Sequence, residues 1–483
     1  MAEFLDPRWQ TGAGPLTRYV VKPTTDFMRV EAAGGIVLVL AAAAALIWAN
    51  FFGDSYAEFW HTEIVADLGL LTLGESLHDW VNDALMAIFF FVVGLEIKRE
   101  AVHGELRDRR QAALPILAAL GGMVVPASVY AAFNAGGPGG AGWGIPVATD
   151  IAFALGVLSL LGNRVPIQLK VFLLTLAVAD DVGGILIIAV FYAEQVSLLW
   201  LLGAGVTIGV ILAMQRYGVR LIRAYLPVGF VLWLCIFESG VEATIGGVIL
   251  GLLTPANALV SRERFGVSMA QMLERFHAAM GRGPLEDPRP TPDAPARAGM
   301  HPGELAEREL REDLTEEVVH GMGALVRETQ SPLHRVEHGV GPWSAFVVVP
   351  IFALANSGIL LTGEAISGAL RSDVAWGVAA GLLLGKLVGV LLFSYVTVRL
   401  GISDLPDGVR WGHVAGVALL AGIGFTVSIF IATLSFSDAQ LVEEAKIGIF
   451  AATIIAAVLG YLALRLLPPS TLDEDPDGER STL

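Results

Sequence analysis

The sequence predicts an all-α polytopic membrane protein with about twelve transmembrane helices. Its residues are 54% hydrophobic and only 16% charged, and its mean hydropathy is +0.65. A soluble protein carries nearer to about 25% charged residues. The hydrophobic residues also fall into runs of roughly 20, the length that an α-helix needs to cross the hydrocarbon core of a bilayer. The number of domains therefore cannot be estimated from the chain length, as it can for a soluble protein.

Twelve apolar segments satisfy this length criterion, and several are interrupted by Gly or Pro. The sequence predicts eight spans within residues 31–258 and four within 341–467, together with a cytoplasmic N-terminal segment (1–30), a charged insertion (259–340) and a polar tail (468–483). The spans are predicted near residues 33–52, 80–97, 112–133, 143–160, 167–192, 197–214, 224–238, 241–256, 343–361, 374–398, 412–435 and 444–467.

Basic loop residues predict the orientation of the chain in the membrane. Lys98 and Arg216 lie in the loops after the second and sixth spans, whereas residues 54–79 and 134–142 contain no Lys or Arg. Because Lys and Arg accumulate in cytoplasmic loops, both termini are predicted to be cytoplasmic. No cleaved signal sequence is evident, and a single cysteine, Cys235, excludes a disulfide framework.

The charged insertion interrupts this pattern. Its Pro-rich middle, residues 281–302, has too little apolar surface to form a core and is predicted to be disordered. The stretches on either side have helical spacing. The preferred interpretation is a tolerated loop insertion, because lengthening a loop has a small entropic cost. A regulatory or docking role is the alternative.

Three carboxylates lie inside apolar stretches with no basic residue beside them: Asp150, Asp180 and Asp181. The last two lie midway along the apolar run 171–192. A carboxylate at the bilayer centre costs about 2.5–3.5 kcal/mol on insertion scales, so three of them indicate ion or proton handling. A structural ion pair is the alternative.

Gly and Pro interrupt two spans at corresponding places in the two halves of the chain. One interruption leads into Asp150, and the other lies at residues 419–430. Such a pair is typical of a transporter with inverted-topology repeats, in which unwound backbone and half-helix ends line a midplane ion site. Close packing through small residues is the alternative for the later segment. Together with Asp150, the pair favours the transporter interpretation.

The adjacent Asp180 and Asp181 point about 100° apart on a helix, so both can border one water-filled funnel. Two carboxylates so close resist joint ionisation, and hard cations prefer oxygen ligands. The pair is therefore predicted to exchange protons for a hard cation such as Na⁺ or Li⁺. Lys386 is the only basic residue in the body of its span and is expected to pair with an aspartate, preferably Asp180. Snorkelling of Lys386 to the interface is the alternative.

Asp83 and Glu96 lie near opposite ends of one predicted span. Thirteen residues separate them, so they cannot share one small site. Two interpretations are open for these acids: the mouth of a cytoplasmic funnel, or an interfacial salt bridge with the basic residues that follow Glu96.

Five motifs, in order along the chain, resemble the NhaA-type sodium/proton antiporter family. They are NDALMAIFFFVVGLEIKRE, PVATDIAFALGVLSLLGNRVP, the ADD of residues 179–181, GLLLGKLVGVLLF and LAGIGFTVSIFIATLSF. The resemblance covers nearly all of residues 25–467 outside the insertion. This family is itself a known example of inverted repeats, so the resemblance is not independent support for that architecture.

The resemblance implies twelve helices, with spans four and eleven broken and crossing at the bilayer centre. It implies an electrogenic antiporter of the bacterial inner membrane, not an enzyme, that exports Na⁺ or Li⁺ in exchange for more protons and needs no cofactor. By the same resemblance Asp180 and Asp181 bind the metal ion and protons, and Thr149 is a cation ligand. Asp150 and Lys386 compensate the half-helix ends, and Lys386 also takes part in proton coupling.

The resemblance further implies a charged funnel and pH-response set composed of Asp83, Glu96, Glu242, Glu337 and His338. This chain departs from the family pattern within that set, because Glu242 stands where a histidine is common and Gly341 replaces a second histidine. A histidine titrates near pH 6.5 and a glutamate does not. The pH profile is therefore predicted to be shifted, and a curve of activity against pH that matched a histidine-bearing relative would contradict this.

The expected partners are Na⁺, Li⁺, H⁺, membrane lipid and a second copy of the chain, joined through residues 54–79, with no nucleic acid. An organic-anion symporter is the nearest rival, because broken helices also bind carboxylates, but three mid-membrane aspartates repel anions. A channel would carry flux without proton coupling. The chain contains no HExxH motif of a metalloprotease.

Overall fold

The computed structural model describes residues 33–67, 72–104, 107, 109–193, 196–219, 222–258, 262–279, 317–323, 325–326 and 328–468. The predicted N-terminal segment, the predicted disordered middle of the insertion and almost all of the polar tail lie outside these residues. The chain forms two compact units. We call them the helical body (Met1–Leu253 and Gly339–Leu483) and the insertion unit (Thr254–His338).

The first part of the helical body is mainly helical, with a 3₁₀ helix and a small hairpin. Its elements are α1 (Ala33–Phe51), α2 (Ser55–Trp60), β1 (Glu63–Asp67), β2 (Thr72–Ser76), α3 (Leu77–His103), α4 (Arg109–Asn134), the 3₁₀ helix (Pro138–Val147), α5 (Ile151–Ser159), a 3₁₀ turn (Gly162–Arg164), α6 (Ile167–Phe191), α7 (Leu198–Arg216), α8 (Ile222–Phe237) and α9 (Thr244–Leu253).

The insertion unit contains α10 (Arg262–Ala279) and the beginning of α11 (Pro332–Asn356). The body then continues with α12 (Gly363–Ala369), α13 (Asp373–Arg399), α14 (Trp411–Leu420), α15 (Phe425–Ser435) and α16 (Ala439–Leu466). Three of the long helices contain one π-helical turn each, at Val81–Leu85, Ser344–Val348 and Gly381–Gly385.

The membrane spans agree with the sequence prediction. Among the described residues, eight helices are long and apolar enough to cross a bilayer, and two pairs of helices bent at a short break qualify as broken spans. The two remaining predicted spans coincide with the shorter apolar helices α8, of 16 residues, and α9, of 10 residues. The all-α polytopic fold with two broken helices is therefore confirmed.

The ends of some spans differ from the prediction. Helix α11 begins at Pro332, whereas its span was predicted to begin near residue 343, and it ends at Asn356. Its first turns contain His334, Arg335 and Glu337. These side chains lower the hydropathy but are compatible with a helix, so a hydropathy criterion places the start too late.

The hairpin is a departure from the all-α prediction. Strands β1 and β2 pair antiparallel, with Glu63 opposite Ser76 and Asp67 opposite Thr72. The β-branched Ile64 and Val65 favour an extended strand. Five residues in each strand are too few to affect the hydrophobic pattern of a chain dominated by helices.

Helices α4 and α13 pack closely, and this packing positions Lys386. A Cβ at Gly389 of α13 would collide with the backbone carbonyl of Gly121 on α4. The absence of side chains at both positions therefore lets the two backbones touch, as small residues do between membrane helices. Lys386 lies three residues before Gly389, on a neighbouring part of the same helix face. Its Nζ atom is consequently held beside α4, near Gly122.

Candidate ion-binding site

Two broken helices provide the framework of the site. The 3₁₀ helix and α5 are separated by the extended residues Ala148–Asp150 and bend by 44°. Helices α14 and α15 are separated by residues 421–424 and bend by 47°. The half before the first break is a 3₁₀ helix because it is rich in Gly and Pro, which disfavour a regular α-helix.

Hydrogen bonds join the two breaks to each other. The Asp150 backbone N–H donates to the Ile423 carbonyl at 2.6 Å. The Ser428 hydroxyl of α15 donates to the Ile145 carbonyl at 2.7 Å. The unwound backbone thereby finds partners in a region without bulk water, which a membrane protein requires. The two broken helices cross at this point, as the family resemblance implied.

The Asp150 carboxylate caps the helices that follow both breaks. Its Oδ1 atom accepts from the Phe153 backbone N–H at 3.0 Å, at the start of α5. Its Oδ2 atom accepts from the Thr426 backbone N–H at 3.2 Å and the Thr426 hydroxyl at 2.8 Å, at the start of α15. Helix N-termini carry partial positive charge. One buried carboxylate therefore neutralises two helix ends that face each other.

Asp180 and Lys386 form a fully buried ion pair at the same place. Lys386 Nζ donates to Asp180 Oδ2, and both side chains are 0% exposed. Asp180 Oδ1 is buried and makes no hydrogen bond within the described part of the chain. The pair joins α6 to α13 and leaves one carboxylate oxygen available for a further ligand.

Thr149 contacts the same carboxylate from the first break. Its Oγ1 atom lies 2.8 Å from Asp180 Oδ2 and 2.8 Å from the Ala421 carbonyl oxygen. A hydroxyl has one hydrogen to donate and two lone pairs with which to accept. The hydroxyl can donate its hydrogen to only one of these two oxygens at a time. The contact with the other oxygen becomes favourable only when a proton or a cation lies between the two oxygen atoms.

Asp181 differs from its neighbour. It is buried, with 7% exposure, yet its carboxylate has no hydrogen-bond partner among the described residues. The charged groups near it are Glu96, Asp180, Asp150 and Lys386. The crossing therefore holds three aspartates and one lysine. If all were ionised, the excess negative charge would be very unfavourable in this buried place, so protons or a bound cation must neutralise it.

Two of the other predicted residues, Asp83 and Glu242, belong to a second group of acidic side chains. Asp83 lies in the π-helical turn of α3, and Glu242, Asp79 and Glu75 are its charged neighbours. Burial, followed by the charge of Asp79, raises the pKa of Glu75 in β2. The sequence had not placed Glu242 beside Asp83. These acids, which are distant in sequence, are close enough in the fold to act on one another electrostatically.

Glu96 is one of the charged groups that act on Asp181, and both interpretations of Glu96 stay open. The neighbouring Arg99 pairs with Glu100 at 3.2 Å. Glu337 and His338 both belong to the insertion unit. The roles of these residues in a pH response stay a prediction.

Sequence reasoning missed Thr426. Its hydroxyl and its backbone N–H both bind Asp150. A hydroxyl residue directly after the Gly-rich break, at the second position of a half-helix, was the available signal. Sequence reasoning also missed the buried Asn356, whose amide donates to Asn82 Oδ1 at 2.9 Å. No local pattern in the sequence indicates that contact.

The fold and the site define a class of protein. It comprises polytopic helical membrane proteins in which two discontinuous helices cross beside buried ionisable groups, the architecture of many secondary transporters.

Comparison with known proteins specifies the family. A family model described as Na⁺/H⁺ antiporter 1 matches residues 25–464. The chain is 43% identical to the Na⁺/H⁺ antiporter NhaA of Oleidesulfovibrio alaskensis, over 93% of this chain and 94% of that protein. It is 45% identical to the Na⁺/H⁺ antiporter NhaA of an Anaeromyxobacter species, over 95% and 94%. The chain belongs to the NhaA family of Na⁺/H⁺ antiporters.

Proposed function

We propose that this protein exports Na⁺ or Li⁺ from the bacterial cell in exchange for H⁺ and so serves pH and sodium homeostasis. Metal ion and protons compete for the Asp180 and Asp181 carboxylates. The observation that carries the proposal is the charge imbalance at the crossing, where three buried aspartates face one lysine. Such a site is neutralised by protons or by a cation, and exchange between the two is antiport.

The contacts assign a role to each residue in this proposal. Asp180 Oδ1, which makes no hydrogen bond within the described residues, and the Asp181 carboxylate supply oxygen ligands, and Thr149 Oγ1 supplies another. Small hard cations prefer such oxygens. Lys386 already occupies Asp180 Oδ2 with its ammonium group. A metal ion that binds there displaces this ammonium. The buried ammonium, without its carboxylate partner, gives up its proton to water, and metal binding is thereby coupled to proton release.

Asp150 has a different role, because its oxygens are occupied by two helix N-termini. It holds the crossing together and compensates the helix ends, and it is not a ligand of the transported ion. This leaves Asp180, Asp181 and Lys386 to carry protons. Several proton sites for one metal ion favour electrogenic exchange, in which more protons enter than metal ions leave.

The remaining parts of the proposal follow from loop charge and family membership. The chain resides in the bacterial inner membrane with both termini in the cytoplasm, as its basic loops indicate. It uses no cofactor besides the transported ions. It works as a homodimer joined through residues 54–79, where the β1–β2 hairpin offers strand edges for pairing. Light scattering of the purified protein tests the dimer, and a monomeric mass would refute it.

The test of transport is a proton-flux assay in everted vesicles with a pH-sensitive dye. Addition of Na⁺ or Li⁺ should collapse an imposed pH gradient with the wild type, and K⁺ should have little effect. Asp181→Asn retains the shape of the side chain and removes its charge. We expect the apparent Na⁺ affinity to fall about tenfold or more, because an interaction with a charged group contributes roughly 1.5–3 kcal/mol.

Asp54→Asn is the matched control. Asp54 is exposed and makes no capping hydrogen bond at the start of α2, so its loss of charge should leave the dye response unchanged. If Na⁺ moved no protons through the wild type at any pH from about 6 to 9, a range that covers perturbed carboxylate and lysine titrations, the antiport proposal would be wrong. An equal loss of apparent Na⁺ affinity in both variants would show that Asp181 has no special role in ion binding.

A further inference from the structure

A cluster of metal-binding side chains lies in the insertion unit, outside the ion site described above. It consists of His334, Glu337 and His338, which we call the His–Glu–His cluster. Each offers one ligand atom, and these three atoms all lie within 4.8 Å of one another. All three residues belong to α11, in the part of that helix assigned to the insertion unit.

Helix geometry explains why the three side chains converge. Residues separated by three and four positions lie on the same face of an α-helix, and 334, 337 and 338 have that spacing. The imidazole rings of His334 and His338 are 3.9 Å apart between centroids. Two histidines four residues apart, with a glutamate between them, form the H-x-x-E-H pattern with which some zinc enzymes hold their metal on one helix.

The hydrogen bonding of His338 prepares one of its nitrogens for a metal. Its Nδ1 atom lies 3.0 Å from the His334 carbonyl oxygen, which can only accept, so Nδ1 carries the hydrogen. The lone pair of a neutral imidazole is then on Nε2. A backbone carbonyl that orients a histidine through its other nitrogen is the usual outer partner of a metal-binding histidine.

Burial and charge also suit a cation. Glu337 is only 8% exposed, whereas both histidines are exposed. An ion arriving from solvent would therefore meet the two imidazoles first and the carboxylate beneath them. The first turn of a helix carries partial positive charge, which opposes a bound cation. The Glu337 carboxylate offsets this repulsion and lowers the net positive charge of the occupied site.

We propose that the His–Glu–His cluster binds a transition metal ion of the Zn²⁺ type, with water completing the coordination. Two imidazoles and one carboxylate are a donor set that Zn²⁺ accepts, with bonds of about 2.0–2.2 Å. Such bonds bring ligand atoms to roughly 3.3 Å from one another, so the exposed rings turn slightly inward on binding. Mg²⁺ and Ca²⁺, which require oxygen ligands, are excluded.

The test is a metal-binding titration of the purified full-length protein, freed of any histidine tag, with Zn²⁺ against a chromophoric chelator. The wild type should bind one more equivalent of Zn²⁺ than the double variant His334→Ala/His338→Ala. Glu337→Gln should lower the affinity for this additional Zn²⁺ about tenfold or more, since changes around a metal commonly reduce affinity by about 10–100-fold. Excess Mg²⁺ should not displace it.

His320→Ala is the matched control, because His320 is an exposed histidine of the same unit that lies outside the cluster. It should retain the extra equivalent. Asp181→Asn should retain it too, which separates this site from the transport site. Equal Zn²⁺ binding by the wild type and the double variant would overturn the proposal. So would an equal loss in the His320→Ala protein, since any exposed histidine would then suffice.

Co²⁺ provides a second readout that does not depend on counting equivalents. Four-coordinate Co²⁺ absorbs visible light much more strongly than six-coordinate Co²⁺. The wild type should give the strong spectrum and the double variant the weak one. A weak spectrum in both proteins would contradict a four-coordinate site made of these three side chains and water.

Discussion

At the scale of single residues, the site is governed by how buried charges are satisfied. Asp150 receives hydrogen bonds from two helix N-termini, Asp180 binds Lys386, and the Asp181 carboxylate has no hydrogen-bond partner among the described residues. The three aspartates have the same side chain but lie in three different environments. We infer that Asp150 holds structure, that Asp180 links the lysine to the ion, and that Asp181 is the carboxylate most available to it.

The Lys386–Asp180 pair gives a prediction about stability. Lys386→Met leaves Asp180 buried without its cationic partner, which typically costs about 3–5 kcal/mol for a buried pair. We expect the thermal transition of the detergent-purified protein to fall clearly. The double variant Lys386→Met/Asp180→Asn removes both charges and should regain most of that loss. The single variant Asp180→Asn completes the set, and thermal unfolding of the four proteins, arranged as a double-mutant cycle, measures the coupling.

An additive cycle, in which the double variant is less stable than either single variant, would show that the pair is not energetically coupled. Transport by the double variant should be absent in either case, because both groups belong to the proposed ion site. Stability and transport therefore separate the structural role of the pair from its proposed chemical role.

At the scale of helices, close backbone contact determines where the site residues lie. Gly389 of α13 meets Gly121 of α4 without space for a Cβ atom. Gly389→Ala should destabilise the protein by about 1–3 kcal/mol through overpacking, and should also weaken transport because Lys386 lies one turn away. Gly205→Ala in α7 is the control, since nothing lies within 4 Å of its Cβ position. It should be neutral or slightly stabilising.

Thermal unfolding and the dye assay measure both effects. If Gly389→Ala matched Gly205→Ala in stability, the helices α4 and α13 would be able to move apart at little cost, and the close contact would not be important for stability.

The broken helices belong to the same scale. Their breaks could be predicted from Gly and Pro, and their pairing follows from unwound backbone groups that need partners in a membrane.

At the scale of the whole molecule, charged groups are distributed over separate places. Asp83 and Glu242 lie together, whereas Glu242 is not among the charged neighbours of Asp181. An effect of Glu242 on transport must therefore be indirect, transmitted by the residues between Glu242 and the ion site. We predict that Glu242→His introduces a new step in the curve of activity against pH near 6.5, because the imidazole becomes cationic below that pH beside Asp83.

Glu242→Gln is the control for this prediction, because it removes the carboxylate without adding a group that titrates near neutral pH. Dye-monitored Na⁺/H⁺ exchange between about pH 5.5 and 8, which brackets the histidine titration, compares the three proteins. Superimposable curves for the histidine and glutamine variants would show that position 242 does not take part in the pH response.

Local pattern was sufficient for much of this protein. Hydropathy runs of about 20 residues indicated the spans, since a helix must match the thickness of the bilayer. Gly and Pro marked the two breaks, and the rarity of charge in apolar runs singled out Asp150, Asp180, Asp181 and Lys386. The short hairpin and the early start of α11 could not be predicted in this way, because neither changes the hydrophobic pattern.

By itself, the sequence determined the helical membrane fold, the broken helices and the identity of the buried charges, because each depends on residues close together in the chain. Only the tertiary structure decided that Glu242 acts electrostatically on Asp83. It alone also decided that one carboxylate caps two helices and that Asp180 Oδ2 binds both Lys386 and Thr149. These contacts join residues up to 276 positions apart. Their energies depend on burial and orientation, which no local pattern contains.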